Sequence, residues 1–226
     1  MPKIYRISRS GLRLFYKIRH HRGHGIHSPF VFRLVTRVIE EKNPYYAYGD
    51  ISNIIHNTPD IYKKPDKYNH LSFRLINYFN AKKILELGSG EGINSLFLSA
   101  SSIKAECVCV ELSADKRQKA KTLYENWDRK IILQNEYIPL TQKQDCIFIN
   151  LYNFNTDFKW INEHITPLTD ENSFIIIKGI RTKRKSQALW KQLIAMERVT
   201  LSLDLYNEGI IFFKPKLHKR NYAISF

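Results

Sequence analysis

The 226-residue sequence is short of cysteine, of acidic side chains and of long apolar runs, and each shortage removes a class of protein. Its three cysteines, Cys107, Cys109 and Cys146, are odd in number and sit inside apolar, strand-like runs, so they make no disulfide framework. The Cys-x-Cys pair has no second pair with which to build a tetrahedral zinc site. Buried, reduced thiols in a reducing compartment are expected. No apolar run approaches the roughly 18 residues that span a bilayer. The basic N-terminus is followed by neither an unbroken apolar stretch nor a small-residue cleavage site. A cytoplasmic protein without a transmembrane segment is the expectation. Internal repeats and low-complexity stretches are missing too. Acids number 21 against 36 lysines and arginines, a net charge of +15. That excess either favours polyanionic partners (nucleic acid, an anionic membrane surface, an acidic substrate) or is no more than a basic surface.

What is present describes a globular chain. Hydrophobic residues make up 43% and aromatic residues 13%, which excludes a disordered protein. The length suits one sizeable α/β domain with an extension. Residues 1–42 hold ten Lys/Arg and two acids. Ile4, Ile7, Leu14, Phe15 and Ile18 recur at helical spacing, with Arg6, Arg9, Arg13, Lys17 and Arg19 between them. This pattern predicts a basic amphipathic helix that packs on its own domain or contacts a membrane surface or nucleic acid. His20, His21, His24 and His27 follow in a glycine-broken loop. No carboxylate or cysteine adjoins them to complete a metal site. The loop reads as a structural turn, or as a cover over the reaction pocket in which an imidazole such as His27 acts as acid or base.

Ser28-Pro29 is a good helix start, Ser as cap and Pro at the first position, for a helix running to about 42. A weaker helix over 45–56, a loop over 59–66 and a helix over 67–79 complete a helical extension, residues 1–80, ahead of a domain over 81–226. From residue 83, strands and helices alternate. Strands are predicted at 83–87, 105–111, 130–134, 145–149 and 173–178. Helices are predicted near 92–101, 114–127, 156–165 and 184–196. Nearly unbroken apolar runs such as Phe174-Ile175-Ile176-Ile177 suit parallel strands buried on both faces. Residues 199–206 and 210–213 flank a turn at Asn207-Glu208-Gly209 and read as a β-hairpin, which makes the last strand antiparallel. The predicted fold is α/β: a Rossmann-like, doubly wound sheet of seven strands in the order 3-2-1-4-5-7-6. The tail over 222–226 is a candidate for one more strand.

The chemistry centres on Lys83–Asn94, which reads as strand, tight glycine turn and helix start. Glycine tolerates positive φ and lets a ligand approach the backbone closely. The spacing misses the dinucleotide fingerprint G-x-G-x-x-G, because the third glycine comes one residue early. It matches E-x-G-x-G-x-G at Glu86, Gly88, Gly90 and Gly92. Glu111 closes the second strand, where an acid accepts hydrogen bonds from ribose hydroxyls. Together with the terminal hairpin, these features point to S-adenosylmethionine more than to a nicotinamide cofactor. The plain alternative is an α/β domain whose glycine turn serves geometry alone.

On these motifs, residues 80–213 resemble the class I S-adenosylmethionine-dependent methyltransferases. The stretches Gly23–Phe32, Tyr45-Tyr46-Ala47-Tyr48 and Ile84–Gly88 are similar to a bacterial group related to catechol-type O-methyltransferases. The resemblance implies that Glu86, Gly88, Gly90 and Gly92 line the methionine and ribose part of the cofactor. It implies that Glu111 holds the ribose hydroxyls, and that Asn135 or Glu136 lies at the adenine edge. Catechol-type relatives carry an Asp at the end of strand 4 and an Asp-Asn pair after strand 5, which bind a divalent cation. Asn150 and Lys178-Gly179 stand there in this sequence, so metal-independent methyl transfer to an unassigned acceptor is expected. The candidate catalytic residues are Lys178, Asn150 and His27. Lys178 pairs with an anionic acceptor, serves as a base if desolvated, or merely begins the solvated basic run through Lys185. A second class stays open: a methyltransferase fold that has lost catalysis and binds a partner such as RNA. Basic clusters at 3–22, 181–185 and 214–220 favour it.

Overall fold

The computed structural model describes residues 28–226. The expected basic helix and the histidine loop with His27 lie outside the described residues.

Helices come first. Ser28 caps α1 (Pro29–Leu34), its hydroxyl accepting from the Val31 amide at 3.4 Å with Pro29 in the first turn. The helix continues as a wider π turn, Val35–Ile39, and ends short of residue 42. The reason lies in the tertiary structure: the Arg74 guanidinium takes the carbonyls of Val38 (2.6 Å) and Ile39 (3.3 Å) that a longer helix needs. Next come α2 (Tyr46–Asn57) and α3 (Lys67–Phe79). The start of α3 is a capping box, with Asp66 accepting from the amides of Tyr68 and Asn69 while the Asn69 side chain accepts from the Asp66 amide. Asn80 closes it in the left-handed conformation, φ 52°.

The alternating region follows: β1 (Lys83–Leu87), α4 (Ile93–Ser99), β2 (Glu106–Val110), α5 (Ala114–Tyr124) and β3 (Lys130–Gln134). Then come β4 (Cys146–Asn150), α6 (Phe158–His164), β5 (Phe174–Lys178) and α7 (Arg184–Ala195). The chain finishes in β6 (Leu201–Asp204), β7 (Glu208–Phe212) and β8 (Arg220–Ala223).

These strands form one sheet in the order β3-β2-β1-β4-β5-β7-β6-β8. It is the expected order plus the extra strand from the tail. β1 to β5 are parallel, and β7 runs antiparallel to β5 and β6. β8 pairs parallel to β6, and Lys219 just before it donates to the Ala195 and Met196 carbonyls at the end of α7, which ties the returning tail down. The turn of the hairpin, residues 205–207, lies two residues before the 207–209 of the sequence reading. Tyr206, at φ 71°, makes the bend, and Glu208 is the first residue of β7, opposite Lys178.

Both faces of the sheet are covered, and the period of two assigns each side chain. Ile84, Cys107, Cys146, Phe148, Phe174 and Phe212 face Val31, Leu34, Leu71 and Leu75 of the early helices. Leu85, Val110, Ile147, Ile175 and Ile177 face Ile161 of α6 and Leu189, Trp190 and Leu193 of α7. Each fully buried side chain of this size contributes roughly 1.5–3 kcal/mol. α1 and α3 thus share one core with the sheet, whereas Ile51 and Ile55 of α2 join a separate cluster with Leu96 and Phe97 of α4. The three cysteines are free and buried within the core shared with the sheet.

Candidate functional site

In a doubly wound sheet the crevice opens at the carboxyl ends of the strands, where the strand order reverses. Here that point is the end of β1, between β2 and β4. The loop leaving it needs glycine three times: φ is 79° at Gly88, 65° at Gly90 and 87° at Gly92. Four of its amides are already engaged. Those of Gly88 and Ser89 donate to the Val110 carbonyl, that of Gly92 to the Ser89 carbonyl, and that of Gly90 to Glu111 Oε2 at 2.7 Å. The loop offers close approach rather than a nest of free donors.

Glu111 sits immediately after β2 and is 1% exposed. Its second oxygen accepts from the Ser113 amide at 2.9 Å, so the carboxylate clamps the glycine loop to the start of α5. A carboxylate has about four acceptor sites, so lone pairs remain on both oxygens. Glu86 is as deeply buried but points beneath the loop. It accepts from Asn94 (2.9 Å), Ser95 (2.5 Å) and Cys109 (3.4 Å). Burial pushes its carboxyl above the usual carboxylate range, and the Ser95 and Asn94 hydrogen bonds oppose the shift. Glu86, Cys107 and Cys109 form a cluster with metal-ligand side chains, but it lies inside the core, and burial pushes the Cys109 thiol well up, which favours the protonated form.

A cleft of about 240 Å³ opens beside the loop. Gly90, Asn150 and Lys178 line it, whereas Glu86, Gly88, Gly92 and Glu111 support it from behind. Asn135 is exposed in the loop after β3, away from the lining residues, as is Glu136. The buried, unpartnered Oε1 of Gln134 is closer to Glu111, whose amide bonds the Gln134 carbonyl. The cleft also uses residues that the sequence motifs do not reveal: Lys63, Asn69, Asn94, Lys116 and Asn153. The amide ring is continuous, since Asn69 donates to Asn94 (3.1 Å) and Asn94 to Glu86. Asn153 lies over the glycines. Its Nδ2 donates to the Gly88 carbonyl at 3.1 Å, and its Oδ1 accepts from Lys116 at 2.9 Å. A Cβ on Gly90 would come within 2.7 Å of that Nδ2.

At the other end of the cleft stands Lys178, last residue of β5. Its ammonium is 3.3 Å from Asp66 and 3.9 Å from Glu208 and lies over the Tyr68 ring. Glu208 is fully buried, and among the described residues neither of its carboxyl oxygens has a hydrogen-bond donor. Burial raises its pKa to about 8, against the opposing pull of Lys178. At neutral pH Glu208 is therefore mostly protonated, and Asp66 is the charge partner of Lys178. Asn150, the last residue of β4, donates to the Gly88 carbonyl at 3.1 Å and holds the loop. Asp66 both caps α3 and anchors Lys178. Asp66→Ala is expected to cost about 1 kcal/mol from the lost cap, read as a lower urea midpoint with unchanged slope. An unchanged midpoint would remove Asp66 from this role.

No family model matches the chain, and no curated protein matches its sequence. Solved structures do match. An SAH-bound methyltransferase from Podospora anserina has a TM-score of 0.58 at 18% identity, over 84% of this chain and 97% of its own. A methyltransferase from Geobacter sulfurreducens has a TM-score of 0.56 at 14% identity, over 77% and 92%. The O-methyltransferase TomG from Streptomyces achromogenes, involved in tomaymycin synthesis and solved with SAM, has a TM-score of 0.53 at 13% identity, over 80% and 95%. At these identities the likeness is one of fold.

Proposed function

We propose that the chain is an S-adenosylmethionine-dependent methyltransferase whose acceptor end is built on Lys178 and asparagine amides instead of a divalent cation. The observation that carries this reading is the switch-point loop, with left-handed glycines at 88, 90 and 92 clamped by Glu111, in a fold shared with methyltransferases solved with SAH and SAM. Once Asn153 moves, the missing Cβ at Gly90 admits a ligand close to the backbone, and the lone pairs that Glu111 keeps behind that glycine suit ribose hydroxyls. The cleft volume of about 240 Å³ is smaller than the roughly 300 Å³ of the smallest ligand sites. Asn153 and Lys116 must therefore swing aside on binding, which breaks two half-buried hydrogen bonds, Lys116 to Asn153 and Asn153 to the Gly88 carbonyl.

The cofactor supplies an electrophilic methyl group, and transfer depends chiefly on alignment. Lys178, held by Asp66, presents a fixed positive charge to an anionic acceptor beside Asn150 and Asn69. A divalent cation would find an amide and an ammonium at the ends of β4 and β5, which are poor ligands for a hard metal. Residues 81–226 would form the catalytic domain, and the helices ahead of them one wall of the acceptor pocket.

Calorimetric titration with S-adenosylhomocysteine tests the reading. Wild-type protein should bind it equally with and without EDTA, and Glu111→Gln should bind it about tenfold more weakly, as for loss of one charged hydrogen bond. No heat with the wild type would reject the proposal. A second reading, a binding protein without turnover, is favoured by the position of Asn153 over the glycines. It requires a wild type that ignores the cofactor yet shifts structured RNA in gels with steep salt dependence.

A further inference from the structure

A second cavity, about 350 Å³, lies at the far edge of the sheet beside β6 and β8, distinct from the cleft at the glycine loop. Pro29, Leu201, Leu217 and the Tyr222 ring supply apolar walls, and Lys216, His218 and Arg220 stand at its rim. The three basic residues are exposed, and among the described residues none is ion-paired. The Tyr222 hydroxyl is buried and has no hydrogen-bond partner among the described residues. Ser28 also lines the cavity.

We propose that this groove takes an acyl chain of an anionic membrane lipid, with the lipid phosphate held by Lys216, His218 and Arg220. Charge selects the occupant. Residues 1–27 carry seven Lys/Arg and no acid, and a second copy of the chain carries a net +15, so both are repelled by the rim. Nucleic acid satisfies the charges but leaves the apolar walls and the volume empty. An anionic lipid meets both demands, and a phosphate or ester oxygen gives the Tyr222 hydroxyl the acceptor it lacks. Cations near an anionic leaflet contribute about 1 kcal/mol each. A buried chain combined with a polybasic patch is the two-signal pattern of stable peripheral attachment.

The test uses the full chain and dodecyl phosphate below its micelle concentration, with inorganic phosphate as the head alone and dodecyl maltoside as the uncharged tail. Dodecyl phosphate should bind at least about tenfold more tightly than either half, and the double variant Lys216→Glu/Arg220→Glu should bind it about a hundredfold more weakly. The same variant should lose sedimentation with phosphatidylcholine vesicles containing phosphatidylglycerol, while wild type ignores pure phosphatidylcholine. Lys83→Glu/Lys104→Glu, at the amino ends of β1 and β2, should behave as wild type. The proposal is overturned if dodecyl phosphate fails to bind or binds no better than phosphate. It is equally overturned if both double variants lose vesicles alike, or if structured RNA is retained by this face in preference to the vesicles. Unchanged melting temperatures exclude misfolding as the cause.

Discussion

Glu208→Gln is expected to stabilise the protein, and to do so more strongly as the pH rises. In the native state the Glu208 carboxyl is buried without a donor, and burial lifts its pKa from 4.5 to about 8 despite Lys178 nearby. In the unfolded chain it ionises at its ordinary value. The native state therefore keeps a proton that the unfolded state has released, and stability drains away as pH climbs. It is fully present below 4.5 and is lost progressively up to about 8. The slope in that window is about 1.4 kcal/mol per pH unit, so the penalty is about 1 kcal/mol at pH 5 and about 3 kcal/mol at pH 7. Glutamine keeps the shape and has nothing to ionise. Urea unfolding of both proteins at the two pH values should show a gain about 2 kcal/mol larger at pH 7. A gain that is the same at both would mean that Glu208 is already ionised, and with it the pairing assigned to Lys178 would change.

Gly92→Ala should be among the most damaging single-methyl additions in the chain. Gly92 has φ 87° and ψ −1° at the start of α4, a conformation that costs an alanine about 1–2 kcal/mol. The new Cβ would also stand 2.6 Å from the Tyr124 hydroxyl and 2.7 Å from its ring. That hydroxyl donates to Ser95 at 2.7 Å, and Ser95 donates to the buried Glu86. Moving the ring breaks the chain of hydrogen bonds beneath the loop, for a total of about 3–5 kcal/mol, or about 10 °C in Tm. Gly49 is the internal control. It lies inside α2, and a methyl group there would meet nothing within 4 Å, so Gly49→Ala should stabilise by about 0.5–1 kcal/mol. Scanning calorimetry of the pair decides the matter, and a drop below about 1 kcal/mol for Gly92→Ala would mean that the Tyr124 contact is soft.

These two residues also mark the boundary of what is legible in the sequence. Gly92 is visible there because its spacing from Gly88 and Gly90 reports a local backbone requirement. Glu208 reads as a turn residue, since Asn-Glu-Gly between two apolar runs is ordinary hairpin chemistry. Its burial follows from register: it is the first residue of β7 and faces Lys178 across the antiparallel pair. Asn150 and Lys178 are legible by position, as the residues that end β4 and β5. Their partners are not. Asn153 and Lys116 come together over Gly90 from 37 residues apart, and Lys178 meets Asp66 from 112 residues away.

By itself the sequence determined the local states: parallel strands from unbroken apolar runs, the reversed last strand from the hairpin, and the left-handed loop from three glycines. Each of these depends on interactions within a few residues, so composition and spacing are enough to read them. The tertiary structure alone decided how the site is assembled. It turned Glu111 inward onto the Gly90 amide, engaged the amides of Gly88, Ser89 and Gly92, set Asn153 above the glycines, and buried Glu208 without a donor behind Lys178. Burial, and the hydrogen-bond partners available once a group is buried, are set by the packing of distant segments, and these determine which carboxyls keep their charge.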